Sequence, residues 1–460
     1  MREFSTSIQD AFSKGLRKHH DNPRNNEALV ECYNAKPSPG GLIPFKPITD
    51  PFTGATVSWP FPQLFIGKNY RIYCTETKVY ELSTWTFGTV KVTTTGSGRW
   101  DFIDFGTYFI LVNGAKIVTI DPSDGSYTAS DSLTNIPRFA TGCAFRGRIV
   151  GGNIKTTWHG TGVNDVIWSR PGEANFTPDK SQRAGFMPMF WEGEVLRTLT
   201  LGKSVIVYGD NGISQLYPTI EPVPTFGKND VMDIGIPAKA AVGGDKHVHA
   251  FVDTNNWLWK WEDGKAPEKL GYQEFMENLT AASIVVSYDP GEKEFYISDG
   301  VTCYLLSSYG LCEVYQLPTT VVGLDGTSYG VFTDTEDYEF RTKIDTFDFR
   351  VRGFKTLTEM ELGLYHPATY GDASVVAYGS TYIRSAKTDT FAQTTKGWLQ
   401  VNSSGLLFPG VTAEEFRPQV KVSRFENVKL DYVRLHVKFS DHRAHKAISL
   451  GSSDTSPLIQ

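Results

Sequence analysis

The stretch from residue 287 to residue 316 reads SYDPGEKEFYISDGVTCYLLSSYGLCEVYQ, and its residues predict several chain reversals. Turn-forming residues at 289–291, 299–300 and 307–310 separate four short apolar runs. The runs, at 284–288, 294–298, 301–306 and 311–315, predict four antiparallel strands joined by tight turns. A meander of four strands cannot cover its own faces, so we expect it to pack against similar sheets.

Units of the same kind recur upstream of this stretch. An apolar run, a polar turn and a second apolar run begin at Tyr70, Tyr108, Ser204, His247 and Glu294, and a unit with a longer loop begins at Arg148. The starts are about 45 residues apart, which is the period of a four-stranded β-propeller blade. Irregular β-sandwiches also turn often, but they do not usually repeat a paired-strand unit at this longer period. The sequence therefore predicts an all-β fold with a β-propeller of about six blades.

The regions on either side of the repeat differ from it in composition and in the length of their predicted strands. Residues 1–60 are rich in Pro and Gly and predict an extended N-terminal arm that lies on the surface of the propeller, which spans 61–335. Longer alternating runs without the blade period predict a separate β-sandwich-like domain over 336–450. Residues 451–460 predict a flexible tail.

Charge and cysteine content limit the classes of function. A net charge of −6 disfavours a protein that binds nucleic acid by gripping phosphates, although it leaves open a surface past which DNA slides. No apolar run approaches the length of a membrane span, and the first residues lack the apolar core of a secretory signal. The five cysteines include no CxxC pair, which predicts buried, reduced thiols in a protein assembled in a cytosol, and no zinc. A disulfide between Cys303 and Cys312 across a hairpin is the less favoured alternative.

Two short basic segments are the candidate partner-binding sites. The first lies in the N-terminal arm and the second follows the last long strand. Charged segments of this kind are more often solvated patches, which is the alternative reading. The candidate residues are Arg17, Lys18, His19 and His20 in the first segment and His442, Arg443 and His445 in the second.

Three other patterns have a functional and a structural interpretation. His247 and His249 share one face of a predicted strand, a spacing that can chelate a metal but that more often marks ordinary strand residues. Residues 326–330, GTSYG, fit the G-x-S-x-G expression of a hydrolase, yet no helix is predicted after them, which favours a turn at a domain boundary. Trp257, Trp259 and Trp261 share one face of a predicted strand. Exposed, they would form a platform for sugar binding; buried, they would form core between blades, which is the favoured interpretation.

The layout resembles the β-propeller tail-hub proteins of short-tailed bacteriophages, also called packaged-DNA stabilisation proteins. Four segments carry the resemblance: NNEALVECYNAKPSPGGLIPF at 25–45, GRIVGGN…DVIWSRPGEANFTP at 147–178, LRTLTLGKSVIVYGDNGISQLYP at 196–218, and the long strands around VRLHVKFS. The resemblance covers most of the chain, and its most specific part is the blade sequence at 147–178.

This resemblance implies a structural virion protein in the phage tail. Such proteins form a homo-oligomeric ring, here expected to be a hexamer, below the portal and adaptor proteins. The ring would continue the DNA channel, help to retain the packaged genome until ejection, and dock a needle, fibre or tailspike. Double-stranded DNA would pass through without specific binding. The ring would be assembled in the cytoplasm of the host bacterium.

Two other classes of function stay open. One is a propeller that binds a receptor or glycan at the tail tip, and the other is a propeller glycosidase, which requires a pair of carboxylates at an end face. No catalytic cluster is evident in the sequence, and a scaffold does not need one. We therefore predict a protein that is not an enzyme and that uses no cofactor and no metal.

Overall fold

The computed structural model describes residues 3–18, 28–45, 48–49, 57–67, 70–82, 90–94, 98–106, 108–121, 123, 125–130, 133–179, 181, 183–220, 225–324, 327–331, 339–349, 353–365, 376–384, 390–393, 397–402, 404–423 and 428–439. Within these residues the fold is built almost entirely of β-strands, with two short α-helices and one 3₁₀ turn. The prediction of an all-β chain is therefore confirmed.

The chain divides into two compact units, which we call the terminal unit and the central unit. The terminal unit comprises 1–47, 304–315 and 335–460, and the central unit comprises 48–303 and 316–334. This division differs from the predicted boundaries, because the first 47 residues belong with the C-terminal region instead of forming a separate arm. Long-range strand pairing causes the difference, and a local reading of composition does not detect it.

The terminal unit begins with strands that pair far along the chain. The elements are β1 (Glu3–Ile8), α1 (Asp10–Lys14), β2 (Leu29–Tyr33), β3 (Ala35–Ser38) and β4 (Gly41–Pro44). Strands β3 and β4 form a hairpin, whereas β1 and β2 have no neighbouring partner in sequence.

Five antiparallel four-stranded sheets follow one another in the described part of the central unit, and each is a sequential meander. Sheet 1 is β5 (Gln63–Gly67), β6 (Tyr70–Cys74), β7 (Lys78–Glu81) and β8 (Val90–Thr93). Sheet 2 is β9 (Asp101–Asp104), β10 (Phe109–Val112), β11 (Ile117–Asp121) and β12 (Ser126–Ser130). Sheet 3 is β13 (Phe139–Phe145), β14 (Arg148–Ile154), β15 (Asp165–Trp168) and β16 (Gly185–Pro188).

The next two sheets repeat the plan. Sheet 4 is β17 (Val195–Leu201), β18 (Ser204–Gly209), β19 (Ile213–Thr219) and β20 (Thr225–Met232). Sheet 5 is β21 (Val242–Gly244), β22 (Val248–Val252), β23 (Leu258–Glu262) and β24 (Glu268–Lys269). Helix α2 (Gln273–Met276) and a 3₁₀ turn (Ala281–Ser283) then lead to β25 (Val285–Asp289), β26 (Glu294–Ser298), β27 (Cys303–Leu306) and β28 (Leu311–Val314).

Strands β25 to β28 match the four strands predicted for residues 284–315 to within two residues at each end. The division into units nevertheless falls inside this stretch, since β25 and β26 belong to the central unit and β28 to the terminal unit. The hairpin β29 (Val321–Leu324) and β30 (Thr327–Gly330) completes the central unit.

Turn chemistry explains why the strands are short. Between β10 and β11 the Asn113 side chain accepts hydrogen bonds from the backbone N–H groups of Ala115 and Lys116, at 3.0 and 2.9 Å. Gly114 follows with a φ of 85°, a left-handed conformation that glycine adopts without steric cost. The four residues of β10 before this turn are all buried, so the chain reverses directly after a fully apolar run.

Consecutive sheets pack face to face. One apolar cluster joins sheets 1 and 2, a second joins sheets 2 and 3, and a third joins sheets 3 and 4. Sheets 4 and 5 meet through Tyr208 and Phe251, whose ring centroids are 5.4 Å apart. Sheets 2, 3 and 4 thus each bury both faces against the neighbouring sheets along the chain, as the sequence repeat requires.

The first strands of these sheets also contact one another. Strand β13 contacts both β9 and β17, β25 contacts β21, and β29 contacts both β25 and β5. The approach of β21 to β25 depends on Gly243, because an added Cβ there would lie 2.3 Å from the Val286 carbonyl oxygen. The first strands are therefore close neighbours along much of the unit.

The C-terminal part of the terminal unit supplies its longest strands. They are β31 (Glu339–Ile344), β32 (Lys355–Tyr365), β33 (Val376–Arg384), β34 (Ala392–Gln393), β35 (Leu399–Gln400), β36 (Leu406–Leu407), β37 (Val411–Ala413), β38 (Glu415–Ser423) and β39 (Lys429–Phe439). Strand β39 pairs antiparallel with β32 and with β1, in a register that sets Ile8 opposite Val433. Strand β2 pairs with β31, which pairs with β38, and β38 pairs with β33.

These pairings give the terminal unit two sheets with a shared core. The sheets approach closely at Gly379 of β33, where an added Cβ would lie 2.3 Å from a methyl carbon of Leu407 and 3.0 Å from the methyl carbon of Met360. The core includes Ile8 and Leu29 from the first 47 residues beside Phe416 and Leu435. The N-terminal segment is thus a structural part of this unit.

Candidate functional site

Four charged side chains gather near the amino-terminal ends of the first strands of the central unit. We call this cluster the charge centre, and it consists of Arg99, Asp101, Arg197 and Lys239. Asp101 begins β9, Arg197 is the third residue of β17, and Lys239 precedes β21. Because β9 and β17 both contact β13, residues nearly one hundred positions apart in sequence come together here.

Asp101 is the only acid of the charge centre and is buried, with 5% of its surface exposed. Its Oδ2 accepts hydrogen bonds from the Thr141 hydroxyl at 2.5 Å and from the Gly142 N–H at 3.2 Å. Its Oδ1 lies 3.3 Å from Lys239 Nζ and 3.8 Å from Arg197 Nε. The carboxylate is therefore held on one side by hydrogen bonds and faces positive charge on the other.

The three cations are anchored by backbone carbonyl groups. Lys239 Nζ donates to Arg99 O at 2.8 Å and to Ala140 O at 2.6 Å. Arg197 Nη1 donates to Val242 O at 2.8 Å. Arg99 Nη1 donates to Pro60 O at 2.6 Å, and Arg99 Nη2 donates to Thr319 O at 3.0 Å. These acceptors lie before β5, before β29 and on or near β9, β13 and β21. The charge centre thus ties together most of the elements that surround it.

The electrostatics of the charge centre are unbalanced. Burial and, to a lesser degree, the nearby Arg197 lower the pKa of Arg99 to about 9, while Asp101 opposes the shift. Burial likewise lowers the pKa of Lys239 to about 8, against the favourable attraction of Asp101. Both shifts arise because one carboxylate does not neutralise three cations in a site with little water.

Some polar atoms of the charge centre have no hydrogen-bond partner among the described residues. These buried atoms are Arg99 Nε, Arg197 Nε and Asp101 Oδ1. Unpaired buried polar atoms are costly, so their presence in a compact fold calls for an explanation. Chemically, the site presents two buried N–H donors and excess positive charge around one carboxylate, whose Oδ1 is shared by Lys239 and Arg197 as an ion-pair partner.

Nothing local in the sequence indicated the charge centre. Arg99, Asp101, Arg197 and Lys239 lie in unrelated turns and strand starts, and only the packing of the sheets brings them together. The predicted units begin at Tyr108, Ser204 and His247, which lie on or next to the second strands of sheets 2, 4 and 5, so the repeat gave no signal for the first strands that carry the charge centre.

Of the predicted partner-binding residues, Arg17 has a clear structural role. Its Nη1 donates to the Asp345 carboxylate at 3.1 Å, and Asp345 is fully buried. Asp345 also accepts from the N–H of Thr346 at 2.7 Å and lies 3.8 Å from Arg417 Nη2. We call Arg17, Asp345, Thr346 and Arg417 the Asp345 cluster. Arg17 serves the fold of the terminal unit, and a role in partner binding stays a prediction.

The remaining predicted partner-binding residues are not brought together. Lys18 follows Arg17 and is half-buried. The other five lie outside the described residues: His19, His20, His442, Arg443 and His445.

His247 and His249 do not form a pair of metal ligands. His249 is buried, with Nδ1 at 2.9 Å from the Tyr208 hydroxyl and Nε2 at 3.1 Å from the Thr200 carbonyl oxygen, while His247 is exposed. Because a carbonyl only accepts, Nε2 carries the hydrogen and Nδ1 accepts from Tyr208. Burial lowers the pKa of His249 to about 4. Across the described ranges, no group of three or more His, Cys, Asp or Glu residues is arranged to hold a metal ion.

The tryptophan row is mostly covered. Trp261 is buried, Trp259 stacks on Phe251 at 6.1 Å, and Lys269 Nζ lies 3.3 Å from the centre of the Trp257 ring. The Trp259 indole N–H also donates to the Asp253 carboxylate at 2.8 Å. The arrangement favours the packing interpretation over a flat sugar platform.

The remaining motifs have structural surroundings. Ser328 of the GTSYG segment lies on strand β30 and donates its hydroxyl hydrogen bond to Asp289, so no strand-to-helix elbow forms. All five cysteines are free and buried, including Cys303 and Cys312, and no disulfide is formed. In the part of the chain that the structure covers, no helix has both the length and the hydropathy to cross a membrane.

No protein-family model matches the chain, and no curated protein sequence matches it. Solved structures give weak matches. PorZ, a surface component of the type-IX secretion system of Porphyromonas gingivalis, is 8% identical over 61% of this chain and 35% of its own, with a TM-score of 0.34.

Two other solved structures are similarly distant. The extracellular domain of a hybrid two-component system from B. thetaiotaomicron is 13% identical over 56% of this chain and 33% of its own, with a TM-score of 0.37. Hydrazine synthase from Kuenenia stuttgartiensis is 10% identical over 52% of this chain and 73% of its own, with a TM-score of 0.34. The chain spans about a third of the length of the first two proteins, and these TM-scores are too low to identify a shared fold.

Proposed function

We propose that the central unit is a six-bladed β-propeller. Its five consecutive four-stranded sheets bury their faces against one another, and β25 and β26 begin a sixth sheet. The first strands would surround a central axis, and the contacts of β29 with β25 and with β5 would close the circle. In the terminal unit, two facing sheets of long strands fit a sandwich-like domain.

We further propose that the protein is a structural virion component, a tail-hub ring below the portal and adaptor proteins. The observation that carries this proposal is the construction of the terminal unit from both ends of the chain. A subunit with two separately packed β units offers two different surfaces, which the heterologous contacts of a closed ring require. The resemblance in layout to phage tail hubs supports the same assignment.

In this proposal six copies form the ring and surround the DNA channel. The ring helps to retain the packaged genome and docks a needle, fibre or tailspike on its far side. The net charge of −6 suits a channel, because an excess of Lys and Arg along its wall would hold DNA and slow its ejection. Assembly takes place in the host cytoplasm, and the final location is the virion.

The test is the oligomeric state of the purified chain, alone and with the portal–adaptor complex of the same phage. Mass photometry should detect a species near six 51.2 kDa chains on the complex, and negative-stain images should show a ring at its distal end. An unrelated portal–adaptor complex serves as the control and should recruit no chain. A chain that stays monomeric at micromolar concentration and never joins its own complex would overturn the proposal.

A further inference from the structure

The chain contains two Asn-Gly dipeptides, Asn113-Gly114 and Asn211-Gly212. Each lies in the turn between the second and third strands of a sheet, the first between β10 and β11 and the second between β18 and β19. An asparagine before glycine reacts readily with its own backbone, because glycine has no Cβ to hinder the approach of its nitrogen to the side-chain carbon Cγ. Since sequence and position in the sheet match, a difference in reactivity must come from the surroundings.

The surroundings of Asn113 protect it. Its side chain is buried, with 6% of the residue exposed. Its Oδ1 accepts hydrogen bonds from the N–H groups of Ala115 and Lys116, at 3.0 and 2.9 Å. These two bonds hold the side chain in place, and burial limits the access of base and water to the amide.

The surroundings of Asn211 leave it open. The residue is exposed, and its side chain makes one hydrogen bond to the described residues, from Nδ2 to the Glu192 carbonyl oxygen at 3.0 Å. The turn is closed by a bond from the Gly209 N–H to the Gly212 carbonyl oxygen at 2.8 Å, while the Gly209 carbonyl oxygen accepts from the Ile236 N–H at 2.8 Å. These bonds do not use the Gly212 N–H, which is the group that would have to react.

We propose that Asn211 is a site of spontaneous deamidation in the folded protein. Base removes the proton of the Gly212 nitrogen, and this nitrogen forms a bond to Asn211 Cγ. The bond from Cγ to Nδ2 breaks, and Nδ2 leaves as ammonia with the proton that the Gly212 nitrogen lost. Water then opens the resulting five-membered succinimide at either of its two carbonyl groups, which gives aspartate or isoaspartate at position 211. One water is consumed and one ammonia is released, without any change of oxidation state.

The product changes the charge of its surroundings. The new carboxylate has no N–H to donate, so the bond to the Glu192 carbonyl oxygen is lost. It also adds negative charge beside Asp210, whose Oδ1 accepts from the Glu194 N–H at 3.0 Å. We therefore expect the segment 192–194 to pack less firmly against the turn after conversion. The reaction does not depend on the ring assembly proposed above, since a monomeric chain contains the same turn.

The first experiment needs no variant, because trypsin separates the two sites. The tryptic peptides 204–228 and 100–116 each contain a single asparagine, Asn211 in the first and Asn113 in the second. The full chain is incubated at 37 °C at pH 6 and at pH 8, folded or in urea, and the deamidated fraction of each peptide is followed by mass spectrometry. In the folded chain we expect Asn211 to react at least tenfold faster than Asn113, and faster at pH 8, where more of the Gly212 nitrogen is deprotonated. In urea the two rates should become similar. Equal rates in the folded chain, or reaction of Asn211 in urea only, would overturn the proposal.

Two variants identify the reacting group and its effect. Asn211→Gln keeps the amide but would require a six-membered ring, so isoaspartate labelling by a methyltransferase should disappear from peptide 204–228. Gly212→Ala is unsuitable, because an added Cβ would lie 2.3 Å from Trp191 Cδ1. Asn211→Asp copies one product and should speed hydrogen exchange at 192–194, but not around Asn113. Persistent labelling in folded Asn211→Gln contradicts the site, and the two peptides of the unmodified chain decide the matter if that variant fails to fold.

Discussion

Two buried aspartates, Asp345 in the terminal unit and Asp101 in the central unit, differ in how their carboxylate oxygens are bonded. Asp345 in the terminal unit has ligands on both oxygens, from Arg17, Arg417 and the N–H of Thr346, and Arg417 Nε donates to the Thr346 hydroxyl at 3.0 Å. Asp101 in the central unit accepts hydrogen bonds on one oxygen, from Thr141 and Gly142, while its other oxygen faces Lys239 at 3.3 Å and Arg197 at 3.8 Å. The Asp345 cluster is saturated, because none of its buried side-chain polar atoms lacks a hydrogen-bond partner among the described residues, whereas the Nε–H groups of Arg99 and Arg197 in the charge centre make no hydrogen bond to a described residue.

The largest expected effect concerns the saturated cluster. Asp345→Ala removes the buried carboxylate that pairs with both Arg17 and Arg417 and leaves two partly buried positive charges, so we expect a loss of about 3–5 kcal/mol in the stability of the terminal unit. The two units need not unfold together, so a local measurement is preferable. Hydrogen exchange followed by mass spectrometry should show faster exchange in β31 and β38.

Asp10→Asn is the matched control for this change. Asp10 forms an ion pair with Lys14 at 3.3 Å, but its side chain is 69% exposed, and such pairs add little stability. Exchange in β31 should not change in the control. If hydrogen exchange in β31 is as slow in Asp345→Ala as in the unmodified chain, the Asp345 cluster does not stabilise the terminal unit. Arg17 would then be a candidate for partner binding only.

The second effect tests whether the central unit contains a titrating group besides the charge centre. The pKa of His249 is about 4 in the folded chain and near 6.5 when unfolded. Between these values the unfolded chain binds a proton that the folded chain does not, so stability that is present above pH 6.5 is lost as the pH falls. The expected loss approaches about 3 kcal/mol near pH 4.

Thermal melts of the full chain between pH 4 and 7 measure this loss. His249→Gln should flatten the acid limb of the stability curve, and His247→Gln, at an exposed histidine just before the same strand, should leave it unchanged. An identical acid limb in His249→Gln would mean that other groups, such as the buried carboxylates, control acid unfolding.

The contrast between the units also shows what a single sequence reveals. The strands of residues 284–315 were predicted closely, because alternating apolar runs and Asp-Gly or Pro-Gly turns act locally. The pairing of β1 with β39 was missed, since partners such as Ile8 and Val433 are separated by most of the chain. Both buried clusters were missed for the same reason. Arg17 was predicted to lie at a surface because its carboxylate partner, Asp345, is 328 residues away in sequence.

The smallest expected effect examines the bonded side of Asp101. The Thr141 hydroxyl donates to Asp101 at 2.5 Å and accepts from the Thr198 N–H at 2.9 Å, so Thr141→Val breaks both bonds at nearly constant volume. The expected cost is about 1–3 kcal/mol, measured by urea unfolding with exchange in β13 and β17 as the local readout. Thr119→Val, where the hydroxyl bond is long at 3.4 Å and exposed, should cost much less.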